Sequence, residues 1–403
     1  MSTTRARVGE REVFQPVRVG SLVLRNRFVR AAAFEGRSPD GGVSEDLVRF
    51  HEQLAKGGVG LTTVAYGGVA ESGRAYPHQL CLWRPGVFEG LRTLVGAVHR
   101  HGAAVSLQLA HAGHAANPAW SGGRTIAPSA VRNRFNGSRP RAMDEADLEA
   151  VATAFANAAA GAAGAGFDAV EVHSGHGYLL SQFLSPYTNR RSDALGGSID
   201  GRLRFPVQVL QRVRDAVGAR FPIFVKMNLR DGFRGGLEID EAVAVARRFE
   251  AEGADALVLS GGFMTRTPFA VMRGDVPYAA LRRTVRGVVP RLGAALFARF
   301  LLRPVAFREA YFLEDARKVR RAVRLPLALV GGLRTLDGME QIVREGFELL
   351  ALARPLVREP DLVQRFASGA ASASRCEPCN ECLATVARGP LFCPRALDAN
   401  SPP

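Results

Sequence analysis

Short apolar runs recur along the chain, and between them lie longer stretches in which apolar residues return every three or four positions. The runs fall at 28–33, 61–65, 104–109, 169–173, 223–227, 256–260, 327–330 and 349–352. They are rich in Val, Leu and Ile and mostly lack a two-residue alternation, which is the pattern of parallel strands buried on both faces. The intervening segments carry helical stripes. Leu148, Val151, Phe155 and Ala159 mark one face, and Leu203, Val207, Leu210 and Val213 mark another. Eight strands alternating with helices predict an α/β chain folded as a (β/α)8 TIM barrel. A doubly wound sheet is the alternative. The count of eight and the lack of a GxGxxG after the first strand weigh against it.

Two segments break the rhythm. Residues 114–141, between the third and fourth strands, are rich in Gly, Pro, Ser and Asn and read as a long loop, either functional or disordered. Residues 263–312 form a larger helical and loop insertion between the sixth and seventh strands. Within it, 279–302 sets arginines among Leu, Val and Ala at roughly helical spacing. A membrane-surface helix would fit that pattern, but a lid or subunit contact fits an insertion on this face better. The expected organisation is a barrel over 1–370 and a cysteine-containing extension over 371–403.

The chain has 403 residues, 47% of them hydrophobic. No run of 18 apolar residues is free of charge, so no membrane span is expected. The N-terminus is polar and lacks the apolar core of a secretory signal, so a cytoplasmic location is expected. The formal net charge is +15. Arginine supplies nearly all the positive charge, the lysines being Lys56, Lys226 and Lys318. These arginines are dispersed and no nucleic-acid motif accompanies them, so a solvated surface that attracts small anions is expected rather than a nucleic-acid partner. Cys81 lies in an apolar context. The other four cysteines cluster as Cys376-x2-Cys379-x2-Cys382-x10-Cys393, a spacing that suggests a metal site rather than a disulfide framework.

In a barrel of this kind, chemistry sits where strands end. The fourth run ends in His173, with His176 and Tyr178 directly after it. Two imidazoles and a phenol within six residues suit proton handling, although a polar loop would carry them too. Gly331 and Gly332 follow the seventh strand, and Ala353-Arg354 follow the eighth. Glycine backbone and a charged guanidinium at those two ends suit a phosphate. Lys226 lies inside the fifth strand, where an unpaired ammonium would be costly, so it requires an anionic partner.

These positions resemble the Old Yellow Enzyme family of FMN-dependent NADH:flavin oxidoreductases over roughly 12–395. The resemblance is carried by Leu24-Arg25-Asn26-Arg27-Phe28-Val29, Gln108-Leu109-Ala110-His111-Ala112-Gly113, Ile126-Ala127-Pro128-Ser129, residues 170–180 and 189–197, and Ala353-Arg354-Pro355-Leu356. It implies FMN at the strand C-termini and NAD(P)H as co-substrate. It further implies that Gln108 bonds the flavin pyrimidine edge, that Lys226 stands near flavin N1, and that Gly331, Gly332, Ala353 and Arg354 hold the phosphate end. His173 and His176 would grip a substrate carbonyl oxygen, and Tyr178 would protonate the adjacent carbon. Ala33, Phe34 and Tyr66 would also border the flavin. Phe34 departs from the family, where Thr or Cys is common; either it narrows the pocket or Glu35 takes over the polar role. The cysteine run, with Asn380, resembles the 4Fe-4S motif of longer family members. A 4Fe-4S cluster, zinc and free thiols all remain open, as do a homo-oligomer and an external electron-transfer partner. Because the sequence stops at Pro403, an internal electron route onward is expected to be missing.

The activity implied is reduction of the activated C=C bond of an α,β-unsaturated carbonyl by an FMN-dependent NAD(P)H oxidoreductase. The alternative is an iron–sulfur flavoprotein dehydrogenase or demethylase that passes electrons outward. A barrel without chemistry, serving as a scaffold, is suggested only by Phe34.

Overall fold

The computed structural model describes residues 11–134, 136–284, 302–386 and 389–397. All eight apolar runs form strands: β1 (Phe28–Arg30), β2 (Leu61–Gly68), β3 (Ala104–Ala110), β4 (Ala169–Ser174), β5 (Ile223–Asn228), β6 (Ala256–Ser260), β7 (Leu327–Val330) and β8 (Leu349–Leu352). Each pairs in parallel with the next, and β8 returns to β1 through Leu350↔Phe28 and Leu352↔Arg30, which closes the barrel. The chain is therefore the (β/α)8 barrel expected from its pattern.

Burial explains why the strands show no alternation. Inward residues such as Val29, Leu61, Ala169, Phe224, Val258, Ala328 and Ala351 fill the barrel, while their neighbours on each strand pack against the surrounding helices. A hairpin, Val17–Val19 paired with Leu22–Leu24, contributes Val17, Val19 and Leu24 to the interior cluster and plugs the lower end. The two expected helical stripes are buried on Glu145–Gly164 and Ile199–Val217. The first of these helices starts where Asp144 and Asp147 exchange side-chain bonds with each other's backbone N–H.

Three features differ from the expected pattern. The first strand ends at Arg30 rather than Ala33, and Ala31–Phe34 run on as irregular chain along the barrel mouth. Strand β2 extends to Gly68, and its register against β3 slips between Val64 and Gly67. Such an irregularity re-aims a side chain, and Tyr66 lies at it. The described residues of 114–141 make local pairings: Ile126–Ala127 pairs with Arg141–Ala142, and Asn133 Nδ2 donates to His114 O at 2.9 Å. In the 263–312 insertion the described helices are Pro268–Val271 and Tyr278–Thr284; most of the helix expected over 279–302 lies outside the described residues.

Candidate active site

Every barrel residue expected at the site lines one cavity of about 390 Å3: Ala33, Phe34, Tyr66, Gln108, His173, His176, Tyr178, Lys226, Gly331, Gly332, Ala353 and Arg354. Cys376 and Cys382 reach its rim. The cavity opens at the C-terminal ends of the strands, is predominantly apolar, and has a size usual for a cofactor pocket. The insertion lines it through Met264, Phe269, Met272 and Tyr311, whereas no described residue of 114–141 does.

The floor is a polar row across three adjacent strands. Gln108 and Glu171 are register partners on β3 and β4. Gln108 Nε2 donates to Glu171 Oε1 at 2.6 Å, and Lys226 Nζ donates to the same oxygen at 2.9 Å and to Ala32 O at 3.3 Å. The anionic partner that Lys226 requires is thus a carboxylate on the neighbouring strand. Lys226 is 1% exposed. Burial lowers its pKa, against an upward pull from Glu171. Glu171 belongs to no motif that marks it as functional. Its position two residues before His173 on one strand puts both side chains on the same face, and that is the signal by which it could have been found.

Above the floor, His173, His176 and Tyr178 come together as expected. The imidazole centroids are 5.2 Å apart, and the His173 ring lies 4.8 Å from that of Tyr178. His173 Nδ1 accepts the Gly175 N–H at 3.4 Å, which in the neutral ring leaves its proton on Nε2. His176 has φ of +59°, held by Asn228 Oδ1, which accepts its N–H at 2.8 Å, and its Nε2 shares a 2.7 Å bond with Ser260 Oγ. Asn228 is fixed in turn by donating to Asp231 Oδ1 and Gly262 O. Burial pushes both histidines down, His173 well below the usual range and His176 to about 3, with Lys226 adding to each effect. Both rings are therefore neutral near pH 7, and each offers one N–H as a hydrogen-bond donor.

Tyr178 is 7% exposed, and burial raises the pKa of its phenol. Its hydroxyl donates to Tyr66 Oη at 3.3 Å, and Tyr66 donates to Gln79 Oε1 at 3.3 Å. Phe34 stacks on Tyr76 at 4.5 Å and leans on Tyr66 at 5.5 Å. Phe34 thus belongs to an aromatic wall facing the cavity. Glu35 does not take its place: it is 2% exposed and turned away from the cavity, 3.2 Å from His51 and 3.7 Å from Arg30.

At the opposite end, Gly331 and Gly332 have φ of +107° and +77°. A Cβ on either would lie 2.7–2.8 Å from the Tyr311 ring, so both the conformation and the packing demand glycine. Arg354 opens the short helix Arg354–Arg358 after β8 and donates to Arg273 O at 3.2 Å and to Asn380 Oδ1. These are neutral oxygens, and among the described residues no carboxylate pairs with it. A guanidinium left charged beside a glycine turn fits a phosphate, and the polar floor with its three small alanines, Ala31–Ala33, fits a flat ring. The residues present fit FMN.

The four clustered cysteines converge as well. Cys376, Cys379, Cys382 and Cys393 line one small cavity beside Arg354, with room for about one water. Burial raises the thiols of Cys376 and Cys382, to about 11 and about 12. Among the described residues, no three His, Cys, Asp or Glu side chains are placed to hold a single metal ion. Nor is any described helix long and apolar enough to cross a membrane.

Comparison with known proteins defines the class: the protein is an FMN-dependent NAD(P)H oxidoreductase built on a (β/α)8 barrel. Residues 12–265 match the family model of the NADH:flavin oxidoreductase / NADH oxidase family. The chain is 39% identical over 378 residues to the 4,4'-dithiodibutanoate disulfide reductase of Rhodococcus erythropolis, covering 94% of this chain and 93% of that one. It is 31% identical to the NADH oxidase of Thermoanaerobacter brockii, covering 91% of this chain but only 52% of that protein. Among solved structures, morphinone reductase in complex with tetrahydroNAD superposes with a TM-score of 0.71 at 25% identity, covering 90% of this chain and 92% of that one. The chain belongs to the NADH:flavin oxidoreductase / NADH oxidase family.

Proposed function

We propose that the protein reduces the activated C=C bond of an α,β-unsaturated carbonyl compound. The observation that carries this reading is the pairing of two neutral imidazoles, His173 and His176, with a protonated phenol, Tyr178, at one wall of the cavity. When bound, FMN supplies hydride transfer between NAD(P)H and an electrophilic acceptor. The imidazole N–H groups hold the carbonyl oxygen of that acceptor and draw charge from its conjugated carbon. Tyr178 keeps its proton until the neighbouring carbon becomes basic, and then delivers it. Gln108 and Lys226 would hold the pyrimidine edge of the cofactor, and Gly331, Gly332, Ala353 and Arg354 its phosphate end. Ala33, Phe34 and Tyr66 would border the ring.

A second reading comes from the disulfide reductase, which this chain matches over almost its whole length. A dithio-diacid acceptor would use the same cavity, and the positive charge around it would favour the carboxylates. It would need no carbon protonation, so Tyr178 separates the two. Purified protein should be yellow, bleach with NADH or NADPH, and recover its colour with 2-cyclohexenone. Recovery with 4,4'-dithiodibutanoate but not with the enone would replace the first reading by the second.

The cysteine cavity supports a third component. The spacing Cys376-x2-Cys379-x2-Cys382-x10-Cys393 favours a 4Fe-4S cluster over zinc, with free thiols as the alternative, and all four residues line one small cavity. In that case an external electron acceptor, and a dehydrogenase or demethylase direction, would come into play. Iron and acid-labile sulfide near four per chain would support it.

A further inference from the structure

Asn380 lies between Cys379 and Glu381. It is 1% exposed and has φ of +57°, a conformation that asparagine tolerates better than other side-chain-bearing residues. Its amide engages two other parts of the molecule. Oδ1 accepts from Arg354 Nη1 at the end of β8. Nδ2 donates to Met272 O at 2.7 Å and to Asp275 O at 2.9 Å, both in the insertion. Both amide protons and one acceptor site are thereby used. The backbone repeats the link to the insertion, Asp275 N donating to Pro378 O at 2.9 Å, and the Arg354 side chain itself reaches the insertion, its Nη1 donating to Arg273 O at 3.2 Å.

The chemistry of this partner matters for an arginine that binds an anion. A carboxylate in its place would orient the guanidinium but would also neutralise it. An amide oxygen orients it and leaves its charge for a ligand. We propose that Asn380 is a positioning residue for the phosphate of FMN: it aims Arg354 at that phosphate and so ties the cysteine-bearing segment to cofactor retention. The proposal rests on the reading of Arg354 as a phosphate ligand. The competing explanation is that Asn380 only knits the insertion to the C-terminal segment.

Riboflavin, which has the same ring system and no phosphate, separates the two. Full-length protein stripped of flavin is titrated with FMN and with riboflavin by quenching of flavin fluorescence. Asn380→Gly removes the side chain while keeping the positive φ accessible. It should weaken FMN about 10-fold and leave riboflavin unchanged, as expected for losing a hydrogen bond to a charged group. Asn380→Asp, which places a negative charge beside the phosphate, should weaken FMN at least as far, again without affecting riboflavin. Arg354→Ala should abolish the preference for FMN, and adding Asn380→Gly to it should cost nothing more. Equal weakening of both ligands by the Asn380 variants, or a further loss on the Arg354→Ala background, would overturn the proposal. If Arg354→Ala kept its full preference for FMN, the phosphate role of Arg354 would fail, and the proposal with it.

Discussion

Glu171 Oε1 lies 2.9 Å from Lys226 Nζ across neighbouring barrel strands, and Gln108 donates to the same oxygen at 2.6 Å. The carboxylate offsets a charge that is almost completely desolvated, and so it controls how much of that charge a bound ring would feel. Glu171→Gln keeps the shape and removes the counter-charge. Breaking a buried pair from one side costs about 3–5 kcal/mol, so a clear fall in the thermal midpoint is expected. The flavin midpoint potential should rise, because an uncompensated Lys226 favours the reduced, more anionic ring. Spectroelectrochemical titration checks the sign, and a fall in potential would contradict the arrangement.

Tyr178→Phe tests the proton donor apart from the hydride source. The phenyl ring preserves the contact with His173 and removes only the hydroxyl that bonds Tyr66. Flavin reduction by NAD(P)H in stopped flow should be unchanged. Reoxidation by an enone should slow by roughly 10²-fold, the usual scale for losing a general acid. Equal slowing of both half-reactions would show that the hydroxyl has another task.

Phe34→Thr tests the aromatic wall. Phe34 is stacked on Tyr76 and borders Tyr66, so truncation opens the cavity toward both tyrosines. The ring is only partly buried, and a stability loss of about 1–3 kcal/mol is expected, toward the low end of core truncations. KM should fall for enones with bulky substituents while small ones are little affected. A KM that changed equally for both would place Phe34 away from the substrate.

The barrel was legible because its eight strands are buried on both faces and the long helices Glu145–Gly164 and Ile199–Val217 on one, so hydrophobicity alone marks the order of elements. Strand-end chemistry was legible for the same reason: once eight strands are counted, His173, Gln108 and Arg354 fall at the same end. What the pattern could not show is pairing between residues distant in sequence. Lys226 announced that it needed a partner, but only the register of β4 against β5 makes that partner Glu171. Asn228, Ser260 and Tyr311 act through hydrogen bonds or ring contacts made across loops, which leave no periodic trace. The outcome at Phe34 and Glu35 depended on which of two neighbours faces the mouth, and no alternation exists in that irregular stretch to decide it.

The buried histidines give the protein a definite response to acid. His111, His114 and His176 have pKa values pushed to about 3, about 4 and about 3, from an ordinary 6.5, chiefly by burial, and His173 is displaced in the same direction. In the unfolded chain each would take up a proton as pH drops below about 6.5, whereas the folded chain resists until its own lower pKa. Stability from these groups is therefore fully present above pH 6.5 and declines on acidification toward pH 4. The decline is about 1.4 kcal/mol per pH unit for each group once its unfolded form is protonated. Thermal midpoints at pH 7.5, 6.5, 5.5 and 4.5 should fall with increasing steepness. His114→Gln, which removes a histidine bonded to Thr265 rather than one lining the cavity, should make the decline shallower. For the same reason, turnover of an enone should show no histidine inflection near pH 6.5, and its loss below pH 5 should coincide with unfolding. A titration near 6.5 in kcat/KM, with the midpoint unchanged, would mean that His173 or His176 acts as a charged imidazolium rather than as a neutral donor.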